Sequence, residues 1–196
     1  MVDFVVIVSC VLAFIFGSIP FGYVIGKLKG VDVRQHGSGN IGATNVSRVL
    51  GKKYGALVLF LDALKGALPV LILKVLGFPL EYQVLSGFFA ILGHCFSPFL
   101  KFKGGKGVAT GLGVFLVVSP KITLIAFFIF LLVFFLTRYV SLSSITAALS
   151  YPVIFKLFGK PSDFTSLLIF LTAFVVVGKH YQNIIRLLKG EEKRFR

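Results

Sequence analysis

Three segments carry residue types and spacings suited to anion chemistry. The first is KFKGGKGVAT, Lys101 to Thr110, where three lysines and three glycines fill six of the seven positions from Lys101 to Gly107. Glycine costs backbone entropy and clustered lysines repel one another, so a bound anion would offset both. Successive glycines let backbone N–H groups converge on a negative charge. A helix starting near Gly107 would add its free N–H groups and positive dipole end. Gly104, Gly105, Lys106 and Gly107 are therefore candidate phosphate ligands. The GxxxxGK[ST] spacing of the nucleotide P-loop is absent. A flexible turn bearing ordinary lysines is the plain alternative.

The second segment is RQHGSGNIGATNVSRVLG, Arg34 to Gly51. Gly37, Gly39 and Gly42 supply permissive backbone. Ser38, Asn40, Thr44 and Asn45 supply small donors and acceptors, and Arg48 a two-pronged clamp for phosphate or carboxylate. Thr44 and Arg48 are four apart, so a helix puts them on one face. The third segment is KHYQNIIRLLKGEEKR, Lys179 to Arg194. Its spacing places His180, Asn183 and Arg186 on one helical face, with Ile184, Leu187 and Leu188 toward membrane or core. A basic amphipathic tail lying on acidic lipid would show a similar pattern. In TRYVSLSS, Thr137 to Ser144, Ser143 and Ser144 either bond a ligand or cap a helix.

Other chemistry lacks its signature. His36, His94 and His180 have no metal-ligand spacing, so no metal site is expected. His94 reads as a packed, hydrogen-bonded residue. The GxSxG nucleophile elbow is missing, and so is the HxxxxD pairing of many acyltransferases. Cys10 and Cys95 stand alone in apolar runs and read as packing residues.

These segments need a scaffold, and the scaffold is apolar. The 196 residues are 57% hydrophobic, with 23 Phe and no Trp, and the mean hydropathy is +0.95. A soluble domain of this size could not hide that much apolar surface. The expected fold is an all-α polytopic helix bundle in a membrane, organised as one domain over residues 1–196. Seven spans are expected, near 2–26, 54–76, 82–100, 107–119, 122–137, 142–158 and 164–181. The N-terminal run begins with an acid and exceeds a signal peptide's core, so it reads as a retained first span. The fourth span is short against the roughly 20 residues a crossing needs. If spans four and five form a hairpin that does not cross, the count is five and the topology is unchanged. FFIFLLVFF, Phe127 to Phe135, reads as a lipid-facing helix. Asp62 and Lys65 lie within the second span at i,i+3 and are expected to pair.

Charge sets the orientation. Of the 21 Lys and Arg, sixteen follow the first, third, fifth and seventh spans. Positive-inside logic places them in the cytoplasm, with the N-terminus outside and the C-terminus inside. All three glycine-rich or amphipathic segments then share the cytoplasmic face. The net charge of +14 implies an anionic partner, either lipid headgroups or a phosphorylated substrate. Nucleic acid is not expected, because no extended basic domain lies outside the apolar runs.

GSGNIGATNVSRVLG, GHCFSPFLKFKGGKGVAT and KHYQNIIRLLKGEEKR, in this order, resemble the bacterial acyl-phosphate:glycerol-3-phosphate acyltransferases (the PlsY family). FGSIPFGYVIG and LDALKG are similar to that family too, so the resemblance runs nearly end to end. It implies transfer of a fatty acyl chain from acyl phosphate to the 1-hydroxyl of glycerol 3-phosphate. The products would be lysophosphatidic acid and inorganic phosphate, in the first acylation of bacterial phospholipid synthesis. It implies no cofactor, and a multi-pass enzyme of the bacterial cytoplasmic (inner) membrane whose site faces the cytoplasm. Catalytic roles carry over to Ser38, Arg48, Lys106, His180 and Asn183. Binding roles carry over to Asn40, Thr44, Asn45, Gly104, Gly105, Gly107, Ser143 or Ser144, and Glu192, which is chosen over Glu191 by its spacing from Asn183. Implied partners are the two substrates and membrane lipids. The basic face also leaves room for transient contact with a soluble acyl-phosphate-producing enzyme. Acyl phosphate is already activated, so departing phosphate could take the hydroxyl proton itself; His180 as general base is the competing mechanism. A small phosphate or organophosphate transporter is the alternative function, since it would also use basic loops and broken helices.

Overall fold

The computed structural model describes residues 2–195, so Arg196, one of the basic residues counted above, lies outside it. Ten α-helices and two short 3-10 turns make up the regular structure, and no strand occurs among the described residues. The helices are α1 (Val2–Gly17), α2 (Phe21–Leu28), α3 (Ala43–Leu50), α4 (Lys52–Val75), α5 (Leu80–Cys95), α6 (Val108–Val118), α7 (Pro120–Thr137), α8 (Val140–Phe158), α9 (Asp163–Gly178) and α10 (Tyr181–Leu188). Five stretches are long and apolar enough to cross a membrane: Phe4–Leu28, α4, Leu80–Leu100, α7 and α8. The pair α9 and α10, bent by 56°, adds a sixth, and α6 is a shorter apolar helix. Large side chains such as Phe4, Phe60, Phe128, Leu157 and Phe174 are more than half exposed, as lipid contact requires.

The expected first span is broken, not continuous. Pro20 has no N–H to give, and the Ser18 hydroxyl donates back to the Phe14 carbonyl at 2.7 Å. Such a break strands main-chain carbonyls in apolar surroundings. Two side chains receive them. Ser97 Oγ donates to the Ser18 carbonyl at 2.6 Å, and Lys65 Nζ to the Ile19 carbonyl at 2.6 Å. Lys65 also pairs with Asp62 at 2.7 Å, both side chains being almost wholly buried, so the expected pair forms and does further work.

Small residues let the helices close on one another. A Cβ at Gly17 would overlap the backbone of Ala90, and one at Gly93 the backbone of Phe14, so α1 and α5 touch main chain to main chain. Gly66 meets Thr110 and Gly113 meets Ala63 in the same way, which seats the short α6 against α4. The polar segment before α4 is held by its own core. Val33 and Val46 are fully buried among Ile25, Ile41, Val58 and Leu100. Removing each valine from water contributes about 1.5–3 kcal/mol, enough to fix α3 beside the bundle.

Candidate active site

The three polar segments and the start of α8 converge on one cavity of about 710 Å³. Its wall includes Ser38, Asn40, Thr44, Asn45 and Arg48, then Lys106 and Gly107, then Ser144, and finally His180, Asn183 and Glu192. Ser38 and Glu192, at opposite ends of the sequence, thus share one space. Gly104, Gly105 and Ser143 are not part of that wall.

The first segment is organised by Asn45. Its side-chain amide donates toward the carbonyls of Val33 (2.9 Å), His36 (3.1 Å) and Asn40 (2.8 Å), while its Oδ1 accepts the Ser38 N–H at 2.7 Å. Asn40 Oδ1 in turn accepts the Gly42 N–H at 2.8 Å. Both asparagines shape the loop from within, leaving Ser38, Thr44 and Arg48 on the cavity wall. Gly37, at φ 67°, has Asn45 Oδ1 where its Cβ would be. Thr44 and Arg48 do lie on one short helix, α3, as their spacing predicts.

The second and third segments are joined by one network. Lys106 Nζ donates to Asn183 Oδ1 at 2.6 Å, and Asn183 Nδ2 donates to Glu192 Oε1 at 2.7 Å. Ser141 Oγ donates to the same carboxylate oxygen at 2.7 Å, and Arg186 Nε to Oε2 at 2.8 Å. Burial pushes the Lys106 ammonium down to about 8; Glu192 opposes that, and Arg186 and Arg48 add to it. Burial raises the Glu192 carboxyl, but bonds from Ser141, Arg186 and Asn183 and the Arg186 charge outweigh it, so the group sits below the usual carboxylate range. The result is a cation held ready at the cavity wall with its counter-charge one amide away. A phosphate arriving at Lys106 would meet a charge already desolvated.

His180 occupies the bend between α9 and α10 and is 2% exposed. Its Nδ1 lies 2.7 Å from the Val176 carbonyl, so that nitrogen carries a proton and donates. In the neutral ring Nε2 is then the acceptor. Among the described residues, no group of three or more His, Cys, Asp or Glu side chains gathers in metal-binding fashion.

The glycine loop departs from a simple anion nest. Gly107 sits at φ 84° and caps α6, as expected of a helix starting there. Gly104 and Gly105 have no positive φ. The Gly105 N–H is already donated to the His94 carbonyl at 3.0 Å. These two glycines lie against the end of α5, and small size is what their positions require. Ser143 and Ser144 each donate back to the carbonyl four residues earlier, at 2.8 Å. Ser144 lies on the cavity wall and Ser143 does not. Neither serves as the helix N-cap.

Several wall residues escaped the sequence reading. Ser141 reaches Glu192, although it is the first serine of the quoted TRYVSLSS run and stood out no more than its neighbours. Phe130 and Phe134 line the cavity, their rings stacked 6.1 Å apart on α7. Their run reads as uniformly lipid-facing because no polar residue marks its inner stripe. The C-terminal strap also contributes. Arg48 donates to the Lys193 carbonyl at 3.3 Å, and the Phe195 N–H to the Arg138 carbonyl at 2.9 Å.

A second, apolar pocket of about 220 Å³ runs between α6, α7, α8 and α9, lined by Leu112, Phe127, Ala148, Tyr151 and Ile169 among others. It shares Leu59, Gly107, Val108, Ala109, Phe130 and Ser144 with the polar cavity. The polar cavity and the apolar pocket therefore adjoin at those residues.

Comparison with known proteins agrees with that geometry. The family model described as glycerol-3-phosphate acyltransferase matches residues 7–190. The chain belongs to the glycerol-3-phosphate acyltransferase family. A glycerol-3-phosphate acyltransferase of Aquifex aeolicus is 50% identical over 187 residues, covering 94% of this chain and 96% of the relative. One from Geobacter sulfurreducens is 48% identical over 188 residues, covering 94% and 95%. Among solved structures, the integral membrane acyltransferase PlsY (YgiH) in its glycerol 3-phosphate form is 46% identical, with a TM-score of 0.93 over 97% of this chain and 96% of that one. Its lysophosphatidic acid form matches at a TM-score of 0.90. This member of the family is thus an all-helical integral membrane protein, as the apolar spans predict.

Proposed function

We propose that this chain transfers a fatty acyl group from acyl phosphate to the 1-hydroxyl of glycerol 3-phosphate. The observation that carries the reading is the junction of the polar cavity with the apolar pocket at Gly107, Val108 and Ala109. The acyl tail lies in the pocket, and its reactive carbonyl meets the basic wall. The glycerol hydroxyl oxygen attacks that carbonyl carbon. The carbon–oxygen bond to phosphate then breaks, and the hydroxyl proton passes to a phosphate oxygen, giving lysophosphatidic acid and inorganic phosphate. Lys106 and Arg48 offset the phosphate charges, Ser38 and Thr44 orient oxygens, and Asn183 with Glu192 holds Lys106 in place. Because phosphate is a good leaving group and a base, positioning and charge neutralisation supply most of the rate. His180 Nε2 orients the attacking hydroxyl.

The enzyme sits in a bacterial cytoplasmic membrane with this cavity facing the cytoplasm. Charge asymmetry supports that orientation, and a soluble substrate needs that access. Seven crossings follow if α6, short and interior, counts as one, with the N-terminus outside. The soluble producer of acyl phosphate would approach the basic cytoplasmic face.

The test is purified protein supplied with acyl phosphate and glycerol 3-phosphate. Phosphate release that depends on both, with lysophosphatidic acid formed in equal amount, is the expected result. Equal rates with an acyl thioester would overturn the choice of donor, and no acyl transfer at all would leave the transporter.

A further inference from the structure

We propose that His94 is a positioning residue for the loop that carries Lys106, a role that takes its activity readout from the acyltransferase reading. His94 lies near the end of α5 and is 4% exposed. Two of its parts meet the loop. Its main-chain carbonyl accepts the Gly105 N–H at 3.0 Å and stands where a Gly104 Cβ would be. Its ring Nε2 stands where a Gly105 Cβ would be. One residue therefore bears on two consecutive glycines, and the next residue is Lys106. Fixing Gly105 fixes where the Lys106 side chain begins, and Lys106 must reach Asn183 at 2.6 Å.

The ring lies beside a buried polar chain. Its Nδ1 lies 3.7 Å from Asp62 Oδ1, Asp62 pairs with Lys65 at 2.7 Å, and Lys65 reaches the Ile19 carbonyl at 2.6 Å. That Nδ1–Oδ1 distance is too long for a hydrogen bond. His94 Nδ1 is fully buried without a hydrogen-bond partner, and the nearest carboxylate oxygen, Asp62 Oδ1, is already held by Lys65 Nζ. An apolar residue could fill the same volume without leaving a polar atom unmatched. Buried groups of this kind are costly in a membrane helix and mark functional positions. Both residues line the floor of the polar cavity, so the imidazole has the loop on one side and the cavity on another. A planar ring with two rotatable bonds defines one place for Gly105, which a flexible aliphatic chain would not.

The two glycines supply the test. The overlap at Gly105 is with a side chain, so removing the ring removes it. The overlap at Gly104 is with a carbonyl, which no substitution at 94 removes. Acyl transfer is measured on purified full-length variants whose monodispersity and thermal unfolding match the parent. Gly105→Ala and His94→Ala should each lower kcat/KM by about tenfold or more. The double variant His94→Ala/Gly105→Ala should be no worse than His94→Ala alone, whereas His94→Ala/Gly104→Ala should show both losses. The fall in kcat/KM with rising pH that Lys106 imposes near pH 8 should also move upward in His94→Ala, because a loosened lysine regains water. A packing role alone would leave it in place. If His94→Ala does not fold, His94→Gln runs the same cycle, since a flexible amide also yields to an added methyl. Additive losses at 94 and 105, or parent-like kinetics for the position 94 variant, would overturn the proposal while leaving the acyltransferase reading intact. Absence of acyl transfer in the parent would overturn that reading instead.

Discussion

At the scale of single residues, the cavity wall is a set of polar donors, and in the proposed reaction two side chains decide its chemistry. His180 donates Nδ1–H to Val176, which points its remaining chemistry through Nε2. A protein base contributes roughly 10²–10⁴-fold. Were His180 that base, His180→Ala and His180→Gln would lose activity equally. With phosphate as the proton acceptor, glutamine keeps a donor and an acceptor and should restore a good part of what alanine loses. Single-turnover acyl transfer at saturating substrate separates the two, and an equal full loss with binding intact would refute the substrate-assisted step. Lys106 gives a second prediction. Burial lowers its affinity for a proton to about 8, so the free enzyme holds the charge below that pH and loses it above. Phosphate binding needs the charge, so kcat/KM should fall as pH rises through about 8. Bound phosphate favours the ammonium, so the same fall in kcat should lie at higher pH. Lys106→Arg stays charged throughout and should show lower activity without that fall; a fall persisting in the arginine variant would assign it to another group.

At the scale of elements, what could be read from the residues depended on whether a signal was local. The start of α6 at Gly107 and the short α3 were legible, because a cap and an i,i+4 pair are written within a few positions. The break at Ser18–Pro20 was not, since it is tolerated only because Ser97 and Lys65, far along the chain, receive its carbonyls. The glycine loop was half legible. Its lysine could be placed, but the reason for Gly104 and Gly105 lay in α5 and not in their own backbone angles. The C-terminal strap was read through Glu192 alone. Its last residues do more, because Phe195 bonds the Arg138 carbonyl and meets Phe134 edge-on at 6.1 Å, while Arg194 lies over Tyr139. These contacts seal the wall beside Glu192. Truncation after Lys193 forfeits one hydrogen bond, an aromatic contact and a cation–π contact at the exposed end of the chain. It should weaken kcat/KM for glycerol 3-phosphate by roughly tenfold, with unfolding temperature little changed. Unaltered kinetics in the truncated enzyme would show that the strap merely lies on the surface.

At the scale of the whole molecule, one arrangement suits the proposed pairing of a water-soluble acceptor with a lipid-borne donor. The bundle gathers the polar side chains of α3, the glycine loop, the start of α8 and α10 around one cavity, beside an apolar pocket between the spans. Such a layout works only if that cavity faces the compartment holding glycerol 3-phosphate. The charge distribution supports the proposed orientation: Lys52, Lys103 and Lys189 are assigned to the cavity side, and Lys74 and Lys160 to connections on the opposite side. All five are exposed. Single cysteines at these positions, in a background lacking Cys10 and Cys95, therefore make a direct test. A membrane-impermeant thiol reagent added to intact cells should label only positions 74 and 160. Positions 52, 103 and 189 should react only after the inner face is opened. The same experiment bears on α6. If that short helix crosses, Lys103 and the α6–α7 turn at Lys121 lie on opposite sides, and a cysteine at 121 labels with the outer set. Labelling of 121 together with 103 would make α6 and α7 a hairpin and reduce the crossings to five, whereas outside labelling of 52 or 189 would reverse the enzyme in its membrane and cut its cavity off from the acceptor.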